Sequence, residues 1–249
     1  MFYIRQCLIR KGIGMRRFYC ENIPGTGEHT KLDKEEEEHL FRTLRAKEGD
    51  ELCLMDGKGL TAVVVVGKGR DVIVCEHKLY ARELPELTLF LAPPRHQLMD
   101  SLLKQCAEVG VSSIVPFITE RTVSVPEKDS VLARWRKILI EGCKQSGNPY
   151  FPEIVLPVAF NEAVKIFKEG KMFGFFGSIE KTGGISFSTS DANKIAWFTG
   201  PEGGFTAKEE ESLINAEIKP LNIGRWTMRA ETAALCGCVI LAYENRKRN

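Results

Sequence analysis

Residues 195–209 read Ile-Ala-Trp-Phe-Thr-Gly-Pro-Glu-Gly-Gly-Phe-Thr-Ala-Lys-Glu, and this stretch decides the fold class. Ile195–Thr199 is a nearly continuous apolar run of strand length, which is typical of a parallel strand covered on both faces. Thr206 and Glu209 have the spacing of a capping box, so a helix should begin directly after Thr206. A strand, a short loop and a helix in this order predict an α/β domain with a parallel sheet.

The glycine-rich loop between that strand and that helix is the first candidate site. Its residues are Gly200, Pro201, Glu202, Gly203, Gly204 and Phe205. Ligands of open α/β sheets bind at the carboxyl ends of the strands, and glycines let the backbone approach a ligand closely. The loop has neither the Gly-Lys-Ser/Thr ending of a Walker A loop nor the GxGxxG pattern of a dehydrogenase. A tight turn without a ligand is the alternative reading at this point.

The same alternation of strands and helices runs through the C-terminal part of the chain. Apolar runs predict strands at residues 87–91, 111–115, 172–176, 195–199 and 221–223. Helical spacing and capping signals predict helices at residues 98–109, 131–142 and 161–170, from residue 207, and at residues 231–245. Residues 87–249 are therefore expected to form one α/β domain.

Residues 15–82 have a different, β-rich pattern. It predicts strands at residues 51–55, 60–66 and 72–75, a hairpin turn at Asp56-Gly57 and a short helix within residues 35–45. Short strands with regular turns predict a small β-barrel, and residues 81–86 are expected to be a linker. Met15 and the four residues after it look like a more natural start than Met1, so residues 1–14 are expected to be an N-terminal extension.

The composition and the cysteine spacing argue against a metal-binding protein and a membrane protein. The chain has 249 residues, a formal net charge of +2 and eight cysteines, none of which form a CxxC pair. This spacing predicts no metal site, and cysteines lying among apolar residues predict buried thiols in a reducing cytoplasm. The longest apolar stretch, residues 233–243, is too short to cross a membrane, and the N-terminus does not resemble a signal peptide. The sequence therefore predicts a cytoplasmic protein without a membrane segment.

A second candidate site follows at residues 222–234, which read Asn-Ile-Gly-Arg-Trp-Thr-Met-Arg-Ala-Glu-Thr-Ala-Ala. A strand ends here, a glycine turns the chain, and a helix is expected to begin near Ala230. Glu231 suits the first turn of that helix, whereas the cation of Arg229 works against the helix dipole. An anionic or electron-rich ligand would explain Arg229 better than a structural role, although a solvated surface arginine is the competing interpretation.

Together, Gly200–Phe205 and Met228–Ala233 resemble the paired signature of the RsmE family, the 16S rRNA (uracil-N3) methyltransferases of the SPOUT superfamily. The order of other segments is similar to that family as well. They are Met15–Tyr19, His39–Arg45, Gly49–Glu51, Asp56–Gly59, Lys104–Gly110 and Glu141–Ser146. Two departures are Met228, where the family usually has leucine, and Gly147-Asn148, where it commonly has an arginine.

The resemblance implies a C-terminal SPOUT domain with a trefoil knot, a small N-terminal PUA-like barrel and a homodimer. In the last helix, the small residues Ala233, Ala234 and Gly237, with Ile240, are expected to lie at the dimer contact. It also implies that S-adenosyl-L-methionine (SAM) is held by the two loops. The residues implied to bind SAM are Thr199, Gly200, Pro201, Glu202, Gly203, Gly204, Ile223, Gly224, Met228, Ala230, Thr232 and Ala233.

The implied substrate is 16S rRNA or the small ribosomal subunit. Arg229 is the candidate for stabilising charge on the target uracil, and Glu202 or Glu231 is the candidate base, with Glu231 better suited to a structural role. The barrel would bind RNA through Arg16, Arg17, Arg42 and Arg45. Two alternatives stay open: a SPOUT enzyme that methylates the 2′-hydroxyl of tRNA ribose, and an RNA-binding protein without catalytic activity.

Overall fold

A computed structural model of the chain describes residues 15–123, 129–179 and 193–246. The predicted extension 1–14 lies outside the described residues. The chain divides into two compact units, one made of Met1–Arg82 with Cys143–Phe151 and the other of Glu83–Gly142 with Pro152–Asn249. The sequence did not predict that Cys143–Phe151 belongs to the first unit.

The first unit is built on a five-stranded sheet. Its strands are β1 (Arg17–Tyr19), β2 (His29–Thr30), β3 (Glu51–Met55), β4 (Leu60–Val66) and β5 (Val72–Leu79), in the order β1-β3-β4-β5-β2. Strand β1 is parallel to β3, and the other pairs are antiparallel. The three predicted strands are confirmed, although β5 continues to Leu79. Helix α1 (Lys34–Glu38) leads into a π-helical turn, His39–Thr43, where one short helix was predicted.

The hairpin between β3 and β4 shows how the sequence sets the strand register. The Asp56 carboxylate accepts hydrogen bonds from the backbone N–H groups of Lys58 (2.7 Å) and Leu60 (3.0 Å). An aspartate that bonds to the backbone two residues ahead favours a turn. The strand pairs that follow, from Met55 with Thr61 to Glu51 with Val65, confirm the predicted hairpin.

A buried ion pair holds Cys143–Phe151 in the first unit. The Lys144 ammonium lies 2.7 Å from a carboxylate oxygen of Glu36, and both side chains are about one-tenth exposed. The same ammonium lies 5.7 Å from the centre of the Phe18 ring. The Arg17 guanidinium donates to the carbonyls of Lys144 (3.1 Å) and Gln145 (3.2 Å). Removing one partner of a buried pair leaves an uncompensated charge, so loss of either Lys144 or Glu36 should destabilise this unit.

The second unit is an α/β structure around one parallel sheet. Its strands are β6 (Glu86–Leu91), β7 (Ser113–Ile118), β8 (Glu153–Ile154), β9 (Val158–Ala159), β10 (Phe173–Gly177), β11 (Lys194–Thr199) and β12 (Lys219–Leu221). The helices are α2 (His96–Val109), α3 (Asp129–Ser146), α4 (Phe160–Glu169), α5 (Ala207–Asn215) and α6 (Ala230–Arg246). The last four residues of α3, Cys143–Ser146, belong to the first unit. The strand order is β12-β10-β11-β6-β7-β8, β9 also pairs with β7, and every pair is parallel. The predicted parallel α/β class is confirmed.

Two strands lie two residues away from their predicted positions, for local reasons. Strand β7 was predicted from Val111, but the N–H of Val111 bonds to the Cys106 carbonyl (3.0 Å) and so completes the end of α2. This is the backbone hydrogen bond that accompanies a left-handed glycine at a helix C-terminus, here Gly110 with a φ of 89°. Strand β12 was predicted to reach Ile223, but the Asn222 side chain accepts the N–H of Gly224 (3.0 Å) and turns the chain away.

Aromatic packing fills the core on one face of the parallel sheet. The rings of Phe90 on β6 and Phe198 on β11 stack with their centres 4.2 Å apart. Phe117, Phe167 and Phe205 belong to the same cluster of buried side chains. Because β6 and β11 are central strands covered on both faces, their residues are apolar almost without interruption.

The opposite face receives α6, which packs against α2, β6 and β11. Gly237 lies directly against the Trp197 indole, and the indole N–H donates to the Ala233 carbonyl (3.1 Å). A β-carbon at residue 237 would overlap the indole, so only glycine allows the helix this close. Ala234 and Gly237, expected at a dimer contact, are instead buried within the protomer, so the expectation was wrong for these two residues. Ala233 and Ile240 are half-buried, and their place at a dimer contact stays a prediction.

The buried cysteines behave as core residues. Burial raises the pKa of the Cys106 thiol to about 12 and also raises that of Cys238. The seven cysteines within the described ranges form no disulfide. Across those ranges, no helix combines the length and the apolar character that a bilayer crossing needs.

We expect Gly237→Ala to destabilise the protein by about 1–3 kcal/mol, the usual cost of overpacking a core. Alanine is the better helix former, so a loss of stability would come from the contact with Trp197 and not from helix propensity. Chemical denaturation measures the effect. Trp197→Leu is the matched test, because the smaller side chain should make the alanine far less costly, and equal costs in both backgrounds would contradict the contact.

Candidate functional site at the carboxyl edge of the parallel sheet

The parallel sheet brings both predicted loops to one edge. The glycine-rich loop follows β11 and the 222–229 loop follows β12. Because all strands run in one direction, the loops after β6, β7 and β10 leave at the same edge. Backbone hydrogen bonds join neighbours there: Ala92 donates to the Thr199 carbonyl (3.0 Å) and Ser178 to the Leu221 carbonyl (3.1 Å). This edge is where open α/β sheets bind ligands.

The glycine-rich loop has a fixed turn. The N–H of Gly204 donates to the Pro201 carbonyl (2.8 Å), and Gly204 has a φ of 70°. This φ lies in the left-handed region, where a side chain would be strained even though a β-carbon would meet no atom within 4 Å. Phe205 anchors the far end of the loop in the aromatic core. The turn exposes Glu202 and Gly203 while Pro201 is buried.

The predicted capping box at the start of α5 is confirmed, and its glutamate also bonds to a neighbouring loop. The Thr206 hydroxyl accepts the Glu209 N–H (3.3 Å), and a Glu209 carboxylate oxygen accepts the Thr206 N–H (2.8 Å). The other carboxylate oxygen of Glu209, a buried residue, accepts the N–H of Glu120 in the loop after β7 (3.0 Å). One carboxylate therefore fixes the end of the glycine-rich loop against a neighbouring loop.

Arg121 makes a contact with the glycine-rich loop that was not predicted from the sequence. Its guanidinium donates to the Gly203 carbonyl (2.7 Å) and lies 3.5 Å from the Phe205 carbonyl. A charged donor at 2.7 Å makes a strong hydrogen bond, so Arg121 ties the loop after β7 to the glycine-rich loop. Its position directly beyond a strand was the available signal, since the carboxyl ends of parallel strands meet at one edge.

Thr199 is buried at the end of β11, with 4% of its surface exposed. Its hydroxyl oxygen has no hydrogen-bond partner among the described residues. A buried polar group without a partner costs about 1–3 kcal/mol. A ligand with a polar group at this position would recover that cost, so the hydroxyl is suited to a bound small molecule.

The second loop is held at its base by Asn222. The Asn222 amide donates to the Ile179 carbonyl (3.0 Å) and its oxygen accepts the Gly224 N–H (3.0 Å). The Met228 side chain lies against Gly224, where a β-carbon would overlap its methyl group. Ile223 and Met228 are half-buried.

The remaining predicted site residues surround the start of α6. Ala230 is buried, Ala233 is half-buried and Thr232 is exposed. Arg229 and Glu202 are exposed, and within the described ranges neither side chain has an ion-pair or hydrogen-bond partner. The structure thus places both on loops of one sheet edge without a contact between them.

The four arginines predicted to bind RNA differ in their surroundings. Arg17 is half-buried and donates to backbone carbonyls of the first unit. Arg16 lies 3.4 Å from the Leu44 carbonyl, and Arg42 pairs with Glu38 at 3.4 Å. Arg45 is exposed and has a φ of 53°. RNA contact by these residues stays a prediction, and Arg17 has the strongest structural role of the four.

No group of three metal-ligating side chains occurs in the part of the chain that is described.

Residues 82–242 match a protein-family model described as an RNA methyltransferase domain. The chain belongs to this RNA methyltransferase family. The match confirms the kinship that the two sequence motifs indicated.

Named relatives agree with the family assignment. The chain is 27% identical to ribosomal RNA small subunit methyltransferase E of Aquifex aeolicus, over 89% of this chain and 96% of that protein. It is 27% identical to the protein of the same name from Synechocystis, over 78% of this chain and 66% of that protein. A crystal structure of ribosomal RNA small subunit methyltransferase E from Neisseria gonorrhoeae bound to S-adenosyl methionine superposes with a TM-score of 0.84, at 26% identity, covering 92% of this chain and 98% of that one.

We expect Arg121→Ala to loosen the glycine-rich loop of this RNA methyltransferase without unfolding it. Hydrogen exchange of the amides at residues 203–206 should become faster, because the Gly203 carbonyl loses its charged donor. Arg136→Ala is the control, since Arg136 is an exposed arginine of α3. Unchanged exchange in Arg121→Ala would show that Glu209 and Phe205 hold the loop alone.

Proposed function

We propose that this RNA methyltransferase transfers the methyl group of SAM to N3 of a uridine in 16S rRNA. The observation that carries the proposal is the glycine-rich loop at the carboxyl edge of the sheet, beside the buried hydroxyl of Thr199, for which the described part of the chain offers no hydrogen-bond partner. The family match supports methyl transfer to RNA. Relatives named small subunit methyltransferases support 16S rRNA as the substrate.

The residues at this edge fit a bound SAM molecule. Thr199 offers a hydroxyl, the turn at Gly204 offers a bare backbone, and the half-buried Ile223 and Met228 offer apolar surface. When bound, SAM supplies a methyl group on a positively charged sulfur that is a good leaving group. The full set proposed to hold it is Thr199, Gly200, Pro201, Glu202, Gly203, Gly204, Ile223, Gly224, Met228, Ala230, Thr232 and Ala233.

The protein must then align the uracil and increase the electron density on N3. N3 loses its proton, forms a bond to the methyl carbon, and the carbon–sulfur bond breaks with its electron pair left on sulfur. Loss of the proton spreads negative charge over O2 and O4 of the base. Arg229 is exposed on the 222–229 loop and is proposed to stabilise this charge as a fixed donor. Glu202, exposed in the other loop, is the proposed proton acceptor.

The first unit is proposed to be a PUA-like barrel that binds RNA by its backbone and shape. Arg16, Arg42 and Arg45 are the better candidates there, because Arg17 is committed to backbone carbonyls. We further propose that the protein acts in the cytoplasm as a homodimer and that its C-terminal unit is knotted. The knot is supported by the path from β12, at the sheet edge beside β10, to α6, which lies on β11 and β6.

We expect Thr199→Val to weaken SAM binding while leaving the protein as stable as before, or more so. Valine has the shape of threonine without the hydroxyl, and removing a buried unpartnered hydroxyl is not a loss for the folded state. Calorimetry with SAM and thermal unfolding without it measure the two effects. Thr199→Ser keeps the hydroxyl and should bind SAM nearly normally. Equal SAM affinity in Thr199→Val would remove this hydroxyl from the cofactor site.

The wild-type protein, small ribosomal subunits lacking the modification and labelled SAM should yield 3-methyluridine in 16S rRNA, detected by nucleoside mass spectrometry. Arg229→Ala should slow single-turnover methylation by about 100- to 1,000-fold, the usual effect of losing one preorganised donor. Arg229→Lys should recover only part of the rate, because lysine lacks a planar two-pronged donor. A 2′-O-methylated product would overturn the proposed reaction. An unchanged rate with weaker SAM binding would make Arg229 a cofactor contact.

A further inference from the structure

Of the three tryptophans of the chain, two are buried and one is exposed to solvent. Trp135 and Trp197 are buried, with 1% and 0% of their surfaces exposed. Trp226 is 77% exposed and lies in the 222–229 loop, at the carboxyl edge of the sheet. Tryptophan is enriched at binding surfaces, where its large ring is covered by the partner, so an exposed tryptophan beside a candidate site is a candidate contact residue.

The residues close to Trp226 in the sequence are rich in positive charge. The Arg225 guanidinium lies 5.1 Å from the centre of the Trp226 ring, within the range of a cation–π contact. Arg225 and Arg229 are both exposed, and Glu231 is the only acidic residue between 222 and 233. An exposed aromatic ring beside a cation is complementary to a nucleobase with its phosphates.

The proposed reaction creates a need for such a surface. N3 of uracil lies on the pairing edge, so the target nucleotide must be unpaired and unstacked before methyl transfer. A neighbouring base then loses its stacking partner, and proteins replace that partner with aromatic side chains. Trp226 lies three residues from Arg229, on the same loop as the proposed catalytic donor.

We propose that Trp226 is a stacking platform for a base next to the target uridine, with Arg225 oriented toward the phosphate backbone. The inference rests on the proposed function and adds a substrate-positioning residue to it. Charge favours RNA over a second copy of this chain as the occupant. A second copy would bring the same two exposed arginines to the contact, whereas RNA brings phosphates.

Fluorescence tests the platform directly, because the other two indoles are buried. Quenching by acrylamide should report mainly Trp226 in the protein alone. Protein-free 16S rRNA should reduce that quenching and shift the emission, and Trp226→Ala should abolish both changes. A change in emission that depends on protein concentration without RNA would assign Trp226 to a contact between copies and overturn the proposal.

Kinetics give the second test. Trp226→Ala should raise the KM for small ribosomal subunits by about tenfold, as expected for losing one base–aromatic stack. Its SAM affinity and its thermal stability should match those of the wild type. Trp226→Phe keeps an aromatic face and should restore most of the loss. An unchanged KM, or weaker SAM binding, in Trp226→Ala would overturn the platform.

The two proposals fail in different ways. If the wild type forms no 3-methyluridine, the proposed function is wrong, whereas the fluorescence response to 16S rRNA still tests stacking by Trp226. If the wild type forms 3-methyluridine and Trp226→Ala does so with an unchanged KM, the function stands and the platform is wrong.

Discussion

The contact between Gly237 and the Trp197 indole sets the position of α6 on the parallel sheet. Gly237 has no side chain, so the helix can lie directly on the flat indole of Trp197 in β11. The hydrogen bond from that indole to the Ala233 carbonyl fixes the position of the helix along the strand. Because α6 begins at Ala230, its position determines where the preceding loop lies. The candidate site therefore depends on a packing contact made by residues with no chemical role of their own.

Interactions between loops then give the sheet edge a defined shape. Arg121 and Glu120 bring the loop after β7 against the glycine-rich loop and its capping carboxylate, Glu209. Asn222 joins the loop after β12 to the segment after β10. Because these loops are tied to one another, a ligand bound at this edge would require little rearrangement of the loops, which would reduce the entropy lost on binding. The exception is the exposed stretch around Trp226 and Arg229, where charged and aromatic groups face solvent.

Much of this arrangement could be predicted from the sequence, because its signals are local. The capping box at Thr206, the turn at Asp56 and the apolar run of β11 each depend on a few neighbouring residues. Arg121 and the buried pair of Lys144 with Glu36 join residues about 80 to 110 positions apart, and no local pattern reveals such partners. Gly237 misled the prediction for a related reason. A small residue on a helix indicates that another element packs closely there, but not which element. For Gly237 that neighbour is Trp197 of the same chain and not a second copy.

The membership of Cys143–Phe151 in the first unit has a consequence for how such proteins can be rearranged. The chain leaves the first unit after Arg82, returns at Cys143 and leaves again after Phe151. A continuous N-terminal fragment would leave Glu36 buried without its lysine and Arg17 without its carbonyl acceptors. Recombination that joins the first 82 residues to a foreign catalytic region would inherit an incomplete structure. Such an exchange would have to carry Cys143–Phe151 together with the first 82 residues, even though each unit has a hydrophobic core of its own.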